Sequence, residues 1–426
     1  GCLKRSYTMT DTNTSARYGG LTPGYYWFFI IFMVLLSSFG SFVNDMYIPA
    51  LPQMTRDFHC SVSTVQLGLS FGMIGLGLGQ VIMGPVSDIH GRKPVLIWSL
   101  VLFTAAAVAS VFTTRIEVFL VCRLFQGFGA SGGYFLSRTI PTDVTGGRPL
   151  ARMMALIGAI NGIAPASAPV LGGVFTHWLT WRSVFIFLAL FAVFILLVSP
   201  KLKESLPASR RAKTTLWQAF KGYGRLVGQP RFMTHVLLKG AALGLLFAYI
   251  ASAPFIIQTR YGYSDVMFGV FMGCNAVFVA IGSTIALRFK VLKRAAVVAA
   301  RILVIAVAAQ CVALWCVYDF WLYEILCCPI LFCLGMIFTM SNTLAMNEGR
   351  SNAGRASAVL GVMGYIFGAT VSPLVGMGDM THSTALVYAA MALLILLLAH
   401  LSRRIPADLD LPDSGDNDSA KTQQQA

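Results

Sequence analysis

Apolar residues in this chain come in unbroken runs, each closed by a short polar segment. An α-helix needs about 20 mainly apolar residues to cross a bilayer. Twelve runs of that kind occur, at 26–48, 65–86, 95–113, 117–137, 151–176, 183–199, 233–257, 266–287, 296–317, 321–345, 356–378 and 383–402. Two polar stretches break the series. Residues 200–232 form a basic connection (Lys201, Lys203, Arg210, Arg211, Lys213, Lys221, Arg225, Arg231), and residues 403–426 form a partly acidic tail with the composition of a disordered segment. The pattern therefore predicts an all-α membrane protein: a tail over 1–25, six spans over 26–199, a linker over 200–232, six spans over 233–402, and a second tail.

Composition supports the membrane class. Of 426 residues, 56% are hydrophobic and 12% charged, and the mean hydropathy is +0.71. A soluble domain carries about 25% charge. The net charge of +15 could point to nucleic acid, but the basic residues are scattered in short segments between apolar runs, with no nucleic-acid motif. Placing the N-terminus in the cytoplasm leaves only Arg56, Arg115, Arg182 and Arg260 outside, with Arg123 and Lys239 within spans and Arg152 and Arg301 at the cytoplasmic ends of theirs. That asymmetry follows the positive-inside rule and puts both termini in the cytoplasm.

Residues 1–25 lack the apolar core of a signal peptide. Met9 could be a natural start, which would make residues 1–8 foreign. Most of the nine cysteines lie in apolar runs without zinc spacing and read as packing residues, so no metal or cofactor is expected. Trp178, Trp181, Trp315 and Trp321 read as an interfacial belt. No H-E-x-x-H, G-x-S-x-G or phosphate-binding loop is present, which argues against an enzyme and against direct ATP drive.

Chemistry concentrates in a few places. Asp45 is expected to be the one acid of seventeen held in hydrocarbon, where a charge costs about 2.5–3.5 kcal/mol and marks function by default. Arg123, early in the fourth span, falls at a similar depth. The pair is expected to face one polar cavity and interact, directly or through Gln126 or water. Lys239 is expected to snorkel to the cytoplasmic surface. Asn44, Tyr47, Gln126, Asn161, Tyr249 and Asn275 are the other polar or aromatic candidates to line that cavity.

Three motifs carry a family resemblance. Gly84-Pro85-Val86-Ser87-Asp88-Ile89-His90-Gly91-Arg92-Lys93 resembles the G-x-x-x-D-x-x-G-R-K signature of the major facilitator superfamily. Gly84 and Gly91 suit a tight turn and close helix approach, Asp88 could meet backbone donors at a helix N-terminus, and Arg92 and Lys93 would anchor the turn. The resemblance implies a latch between two halves. Arg123-Leu124-Phe125-Gln126-Gly127 is similar to the family's R-x-x-Q-G motif. In the fifth span, Asn161, Gly162, Pro165, Ala168, Pro169, Gly172 and Gly173 resemble the G-P-x-x-G-G helix of drug–proton antiporters, with Ala168 in place of a common Gly. Small residues there allow close packing and the prolines allow bending.

With Asp45-Met46-Tyr47-Ile48-Pro49-Ala50-Leu51-Pro52 and Phe247–Phe255, these motifs resemble the Bcr/CflA multidrug transporters, the bicyclomycin and chloramphenicol resistance type, over about residues 26–290. The resemblance implies the major facilitator fold, with twelve transmembrane helices in two pseudo-symmetric six-helix bundles. It also implies a proton-coupled multidrug antiporter in a bacterial inner membrane, acting as a monomer on small lipophilic drugs. Asp45 would carry the proton, since burial and a nearby Arg shift a carboxylate in opposite directions. A proton-coupled transporter of a native metabolite stands as the alternative.

Overall fold

The computed structural model describes residues 21–405, apart from 214 and 351–352. The expectations for residues 1–8 and for the two tails, save residues 21–25 and 403–405, lie outside the described residues.

Long helices form where the apolar runs end in caps or prolines. Helix α1 (Pro23–Asp45) has proline in its first turn, where the missing N–H costs nothing. It stops at Asp45 and not at residue 48, because Pro49 has no N–H to donate to the Asp45 carbonyl. The chain takes a 3-10 turn at Ile48–Ala50 and a short helix, α2 (Leu51–Asp57). Helices α3 (Val62–His90), α4 (Arg92–Phe112), α5 (Ile116–Val144), α6 (Gly147–Trp178) and α7 (Trp181–Val198) follow. Ser61 caps α3, its hydroxyl accepting from Thr64 N–H at 3.2 Å.

Residues 200–232 are more than a polar connection. They contain an amphipathic helix, α8 (Leu216–Val227), opened by a reciprocal Thr215–Gln218 cap. Beyond it run α9 (Pro230–Pro254), α10 (Asp265–Ala286), α11 (Leu292–Cys316), α12 (Phe320–Glu348), α13 (Ala353–Leu374) and α14 (Met380–Arg404). Asp319 caps α12 and Asp379 caps α14. The Thr381 hydroxyl and the His382 N–H hold the Asp379 carboxyl below the usual carboxylate range.

Ten helices among the described residues are long and apolar enough to cross a membrane. The expected fourth and fifth spans fall on α5 and α6, which are not among the ten. Helix α5 is the more polar because Glu117, Arg123, Arg138 and Asp143 interrupt it.

Packing repeats along the chain. In the first set α5 meets α1, α3 and α4, α4 meets α7, and α1 meets α6. In the second set α12 meets α9, α10 and α11, α11 meets α14, and α9 meets α13. The sets meet reciprocally, α3 along α13 and α10 along α6. Close approach rests on glycine. A Cβ on Gly127 of α5 would strike the Gly72 carbonyl of α3, and one on Gly282 of α10 would strike the Phe332 carbonyl of α12.

Two side chains depart from expectation. Trp181 is not an interfacial residue: it is fully buried, its ring N–H donating to Asp57 Oδ2 at 2.8 Å, whereas Trp178, Trp315 and Trp321 are exposed. Lys239 is half-buried and held by Asn342, its Nζ donating to Oδ1 at 2.7 Å.

Candidate functional site

Arg123 stands two turns into α5 and is fully buried. Its Nη1 donates to Gln126 Oε1 at 2.7 Å and to the Val43 carbonyl at 3.2 Å, and its Nε donates to the Gly68 carbonyl at 3.3 Å. The guanidinium carbon lies 4.3 Å from the centre of the Tyr47 ring. That ring packs on Phe119 and Phe185. Gly72 leaves the room: a Cβ there would sit 2.7 Å from Nη2. Gln126 is held in turn, its Nε2 donating to Ser110 Oγ at 2.5 Å and to the Ala106 carbonyl at 3.2 Å.

The Val43 carbonyl is available because α1 ends two residues later, leaving its last carbonyls without helical partners. A cation at that end also meets the negative pole of the helix. Of the expected interactions of Asp45 with Arg123, direct or through Gln126 or water, the direct ion pair is not seen. Among the described residues no ion pair within 4.0 Å joins them. Carbonyls and an amide take up the arginine's Nε and Nη1 and a ring covers its plane, while Nη2 has no hydrogen-bond partner among the described residues.

Asp45 is half-buried, and its Oδ1 accepts from Asn44 Nδ2 at 3.3 Å. It lies in electrostatic range of Tyr365 on α13, as do Tyr134 and Arg138 of α5. Arg123 also acts on Asp45 electrostatically, but is itself fully buried inside the first set.

The six expected cavity residues do not gather in one place. Tyr47 and Gln126 are fully buried within the first set around Arg123. Asn44 is buried beside Asp45. Asn161 and Gly162 lie along α6. Tyr249 and Asn275 form a separate buried cluster in the second set, where Asn275 Nδ2 donates to Tyr249 Oη at 2.8 Å and to Glu324 Oε1 at 2.7 Å.

Glu324 overturns the expectation that Asp45 is the lone acid in a span. It lies on α12, is only 8% exposed, and its Oε2 has no partner among the described residues. The signal was in the sequence, because position 324 falls inside the run 321–345.

The turn between α3 and α4 is a network. Gly91 has φ of 100°, a conformation that favours glycine. Asp88 does not cap a helix N-terminus. It sits in the last turn of α3 and accepts from Arg92 Nη1 at 2.6 Å. The cap on α4 is Glu204 from the linker, which accepts from Arg92 N–H at 3.0 Å and Lys93 N–H at 3.1 Å. Arg92 Nε also donates to Asp143 Oδ2 at 2.9 Å. Lys93 Nζ donates to the Pro200 carbonyl. Gly84 and Asp88 border a crevice of about 300 Å³ that is closed on its far side by Tyr223, Arg355 and Ala358. Burial pushes the Tyr223 hydroxyl up.

The glycines of α6 sit at close contacts. Gly172 packs on the Met46 carbonyl at the end of α1, and Gly173 packs on the Asp265 carbonyl at the start of α10. A Cβ on Gly269 of α10 would lie 2.7 Å from the carbonyl oxygen of Pro169. Pro165 stands one turn earlier on the same helix.

Hydrogen bonds between the sets gather at one end. Gln66 Nε2 donates to the Ala251 carbonyl at 2.8 Å, and Ser70 Oγ donates to the Ala369 carbonyl at 2.6 Å. Ser63 Oγ donates to the Pro373 carbonyl at 2.9 Å, and Gln258 Nε2 to the Pro49 carbonyl at 3.0 Å. The 300 Å³ crevice lies at the opposite end. Among the described residues no group of His, Cys, Asp and Glu could hold a metal ion.

Comparison with known proteins agrees with this architecture. The model of the Major Facilitator Superfamily matches residues 27–373. The chain is 34% identical over 360 residues to the uncharacterized MFS-type transporter YdgK of Bacillus subtilis, covering 82% of this chain and 88% of that protein. It is 24% identical over 375 residues to multidrug resistance protein D of Escherichia coli, covering 86% and 94%. Its fold is similar to the inward-facing crystal structure of a bacterial homolog of the human lysosomal transporter Spinster, with a TM-score of 0.71 at 15% identity, covering 90% and 97%.

Proposed function

The chain belongs to the Major Facilitator Superfamily, in its Bcr/CflA branch, and from that premise we propose that it is a proton-coupled multidrug efflux antiporter working by alternating access. On this reading both α5 and α6 cross the bilayer, making twelve spans, and the two helix sets over 26–199 and 233–402 are the halves that rock. The protein sits in the bacterial inner membrane as a monomer with both termini in the cytoplasm. The end sealed by Gln66, Ser70, Ser63 and Gln258 then faces outward, and the crevice beside Asp88 faces the cytoplasm.

The observation that carries the reading is Asp45: a carboxyl at membrane depth, in electrostatic range of Tyr365 on the second set and without an ion pair within 4.0 Å among the described residues. An acid in that position is a site for a proton. Open to the outside, Asp45 takes up a proton and drug leaves. Open to the cytoplasm, drug binding displaces that proton. Coupling follows because proton and drug compete for one group and each favours a different state. Arg123 stabilises the end of α1 that carries Asp45, so its positive charge acts on the carboxyl through space. Asn44 orients that carboxyl. Small lipophilic drugs fit a protein that offers apolar surface and few polar groups. Similarity to multidrug resistance protein D supports the substrate class.

Proteoliposomes carrying a pH gradient test the reading with chloramphenicol as probe. Wild type should concentrate it against its gradient, and Asp45→Asn should only equilibrate it. Gradient-driven accumulation by Asp45→Asn with unchanged pH dependence would refute the assignment.

A further inference from the structure

Glu324 is a second carboxyl inside a membrane helix, and the reading above gives it no task. Its surroundings are fully defined on one side. Oε1 accepts from Asn275 Nδ2 at 2.7 Å, the same amide donates to Tyr249 Oη at 2.8 Å, and the Tyr249 hydroxyl donates to Met272 Sδ at 3.2 Å. Both amide protons are thereby used. Oε2 is left without a partner among the described residues, although Glu324 is more than nine-tenths buried.

A purely structural role fits poorly. A structural carboxylic acid needs an acceptor for its proton, and Oε2 has none. A structural carboxylate needs a countercharge, and no Lys, Arg or His among the described residues pairs with it within 4.0 Å. The titratable groups around it are Tyr249 from α9 and Tyr323, Cys327 and Cys328 from its own helix, with Tyr388 of α14 behind them. Helix α10 contributes the Asn275 amide, and α11 contributes the Gln310 amide at Cys327.

The chemistry of these groups selects a ligand. One carboxylate oxygen beside buried tyrosine rings suits a bulky organic cation, which is drawn to an anion and to aromatic faces and needs no hydrogen bonds. A hydrated metal ion would require several more oxygen ligands. Access follows from the fold. Helix α10, which carries Asn275, is one of the helices that meets the first set, through Gly269 and Gly273. Movement between the sets therefore loosens one wall of the cluster.

We propose that Glu324, with Asn275, Tyr249 and Tyr323, is a second proton-exchange site that binds lipophilic organic cations. This inference rests on the transporter reading. In the exchange the carboxylic acid of Glu324 loses its proton to the aqueous side as the cation arrives. The product is a carboxylate paired with the cation, so total charge is conserved. Neutral drugs use Asp45 alone.

The test uses the full chain with tetraphenylphosphonium as cationic probe and chloramphenicol as neutral probe. In wild type, tetraphenylphosphonium should protect Glu324 from modification by dicyclohexylcarbodiimide, read by mass spectrometry. Glu324→Gln should weaken tetraphenylphosphonium binding by about tenfold or more, the effect of losing one close charge pair. Its chloramphenicol transport should stay at the wild-type level, and Glu324→Asp should restore much of the cation binding. Unchanged cation binding in Glu324→Gln, equal loss of both probes in a folded variant, or absence of protection in wild type would each overturn the proposal. The protection assay decides the matter even if Glu324→Gln does not fold. Asp45→Asn separates the two readings: loss of chloramphenicol accumulation with Glu324 protection intact supports both, whereas protection in a protein that accumulates neither probe keeps the site and removes the antiporter.

Discussion

Arg123 grips the end of α1 through the Val43 carbonyl, 3.2 Å from Nη1, and not through the Asp45 carboxylate two residues further on. The buried cation is thus part of the frame, and the acid is left free. Removing one partner of a buried ion pair costs about 3–5 kcal/mol, because the other charge is stranded. Asp45→Asn strands nothing here. Its unfolding temperature in detergent should match wild type, whereas Arg123→Ala should lower it strongly. A comparable loss in Asp45→Asn would show that the two do pair.

Gly72 is the space into which the guanidinium fits. A methyl group at 2.7 Å from Nη2 must displace Arg123 or separate α3 from α5. Overpacking of this kind costs about 1–3 kcal/mol. Gly72→Ala should therefore lower the unfolding temperature and slow transport, and Gly24→Ala, where nothing lies within 4 Å, should do neither.

Glu204 ties the linker to the first turn of α4 through two backbone N–H groups. Loss of a helix N-cap costs about 1 kcal/mol. Glu204→Ala should speed hydrogen exchange at Arg92 and Lys93 while leaving α10 unchanged. Asp88→Asn should spare those two amides, since Asp88 bonds the Arg92 side chain.

The outward seal is made of a few side chain to carbonyl bonds. Each is worth about 1 kcal/mol, or roughly a fivefold change in population. Gln66→Leu and Ser70→Ala together should shift the protein toward the state open at that end. Spin labels on either side of the seal should report a longer distance. An unchanged distribution would mean that the glycine contacts of α6 and α10 hold the seal unaided.

Much of this was legible in the sequence. Hydrophobic runs located the helices to within a few residues, because a bilayer sets their length. The motif residues Gly91, Arg92 and Arg123 marked real structural centres. What stayed hidden depends on partners distant in the chain. Nothing local to Asp88 says that Glu204, over a hundred residues away, supplies the cap. Nothing local to Arg123 says that carbonyls from α1 and α3 will satisfy it. Trp181 reads as interfacial because it sits near an expected outer span end, yet its ring is buried against Asp57. Glu324 lies inside a hydrophobic run, but a single acid near the start of a span resembles a flanking residue until Asn275 is seen beside it.

The account turns on Asp45 exchanging its proton for drug. The direct measurement is proton release when chloramphenicol saturates purified protein in weakly buffered detergent. Wild type should release on the order of one proton per bound drug, by linkage between the two ligands, and Asp45→Asn should bind drug without releasing any. Equal proton release from Asp45→Asn would contradict the account.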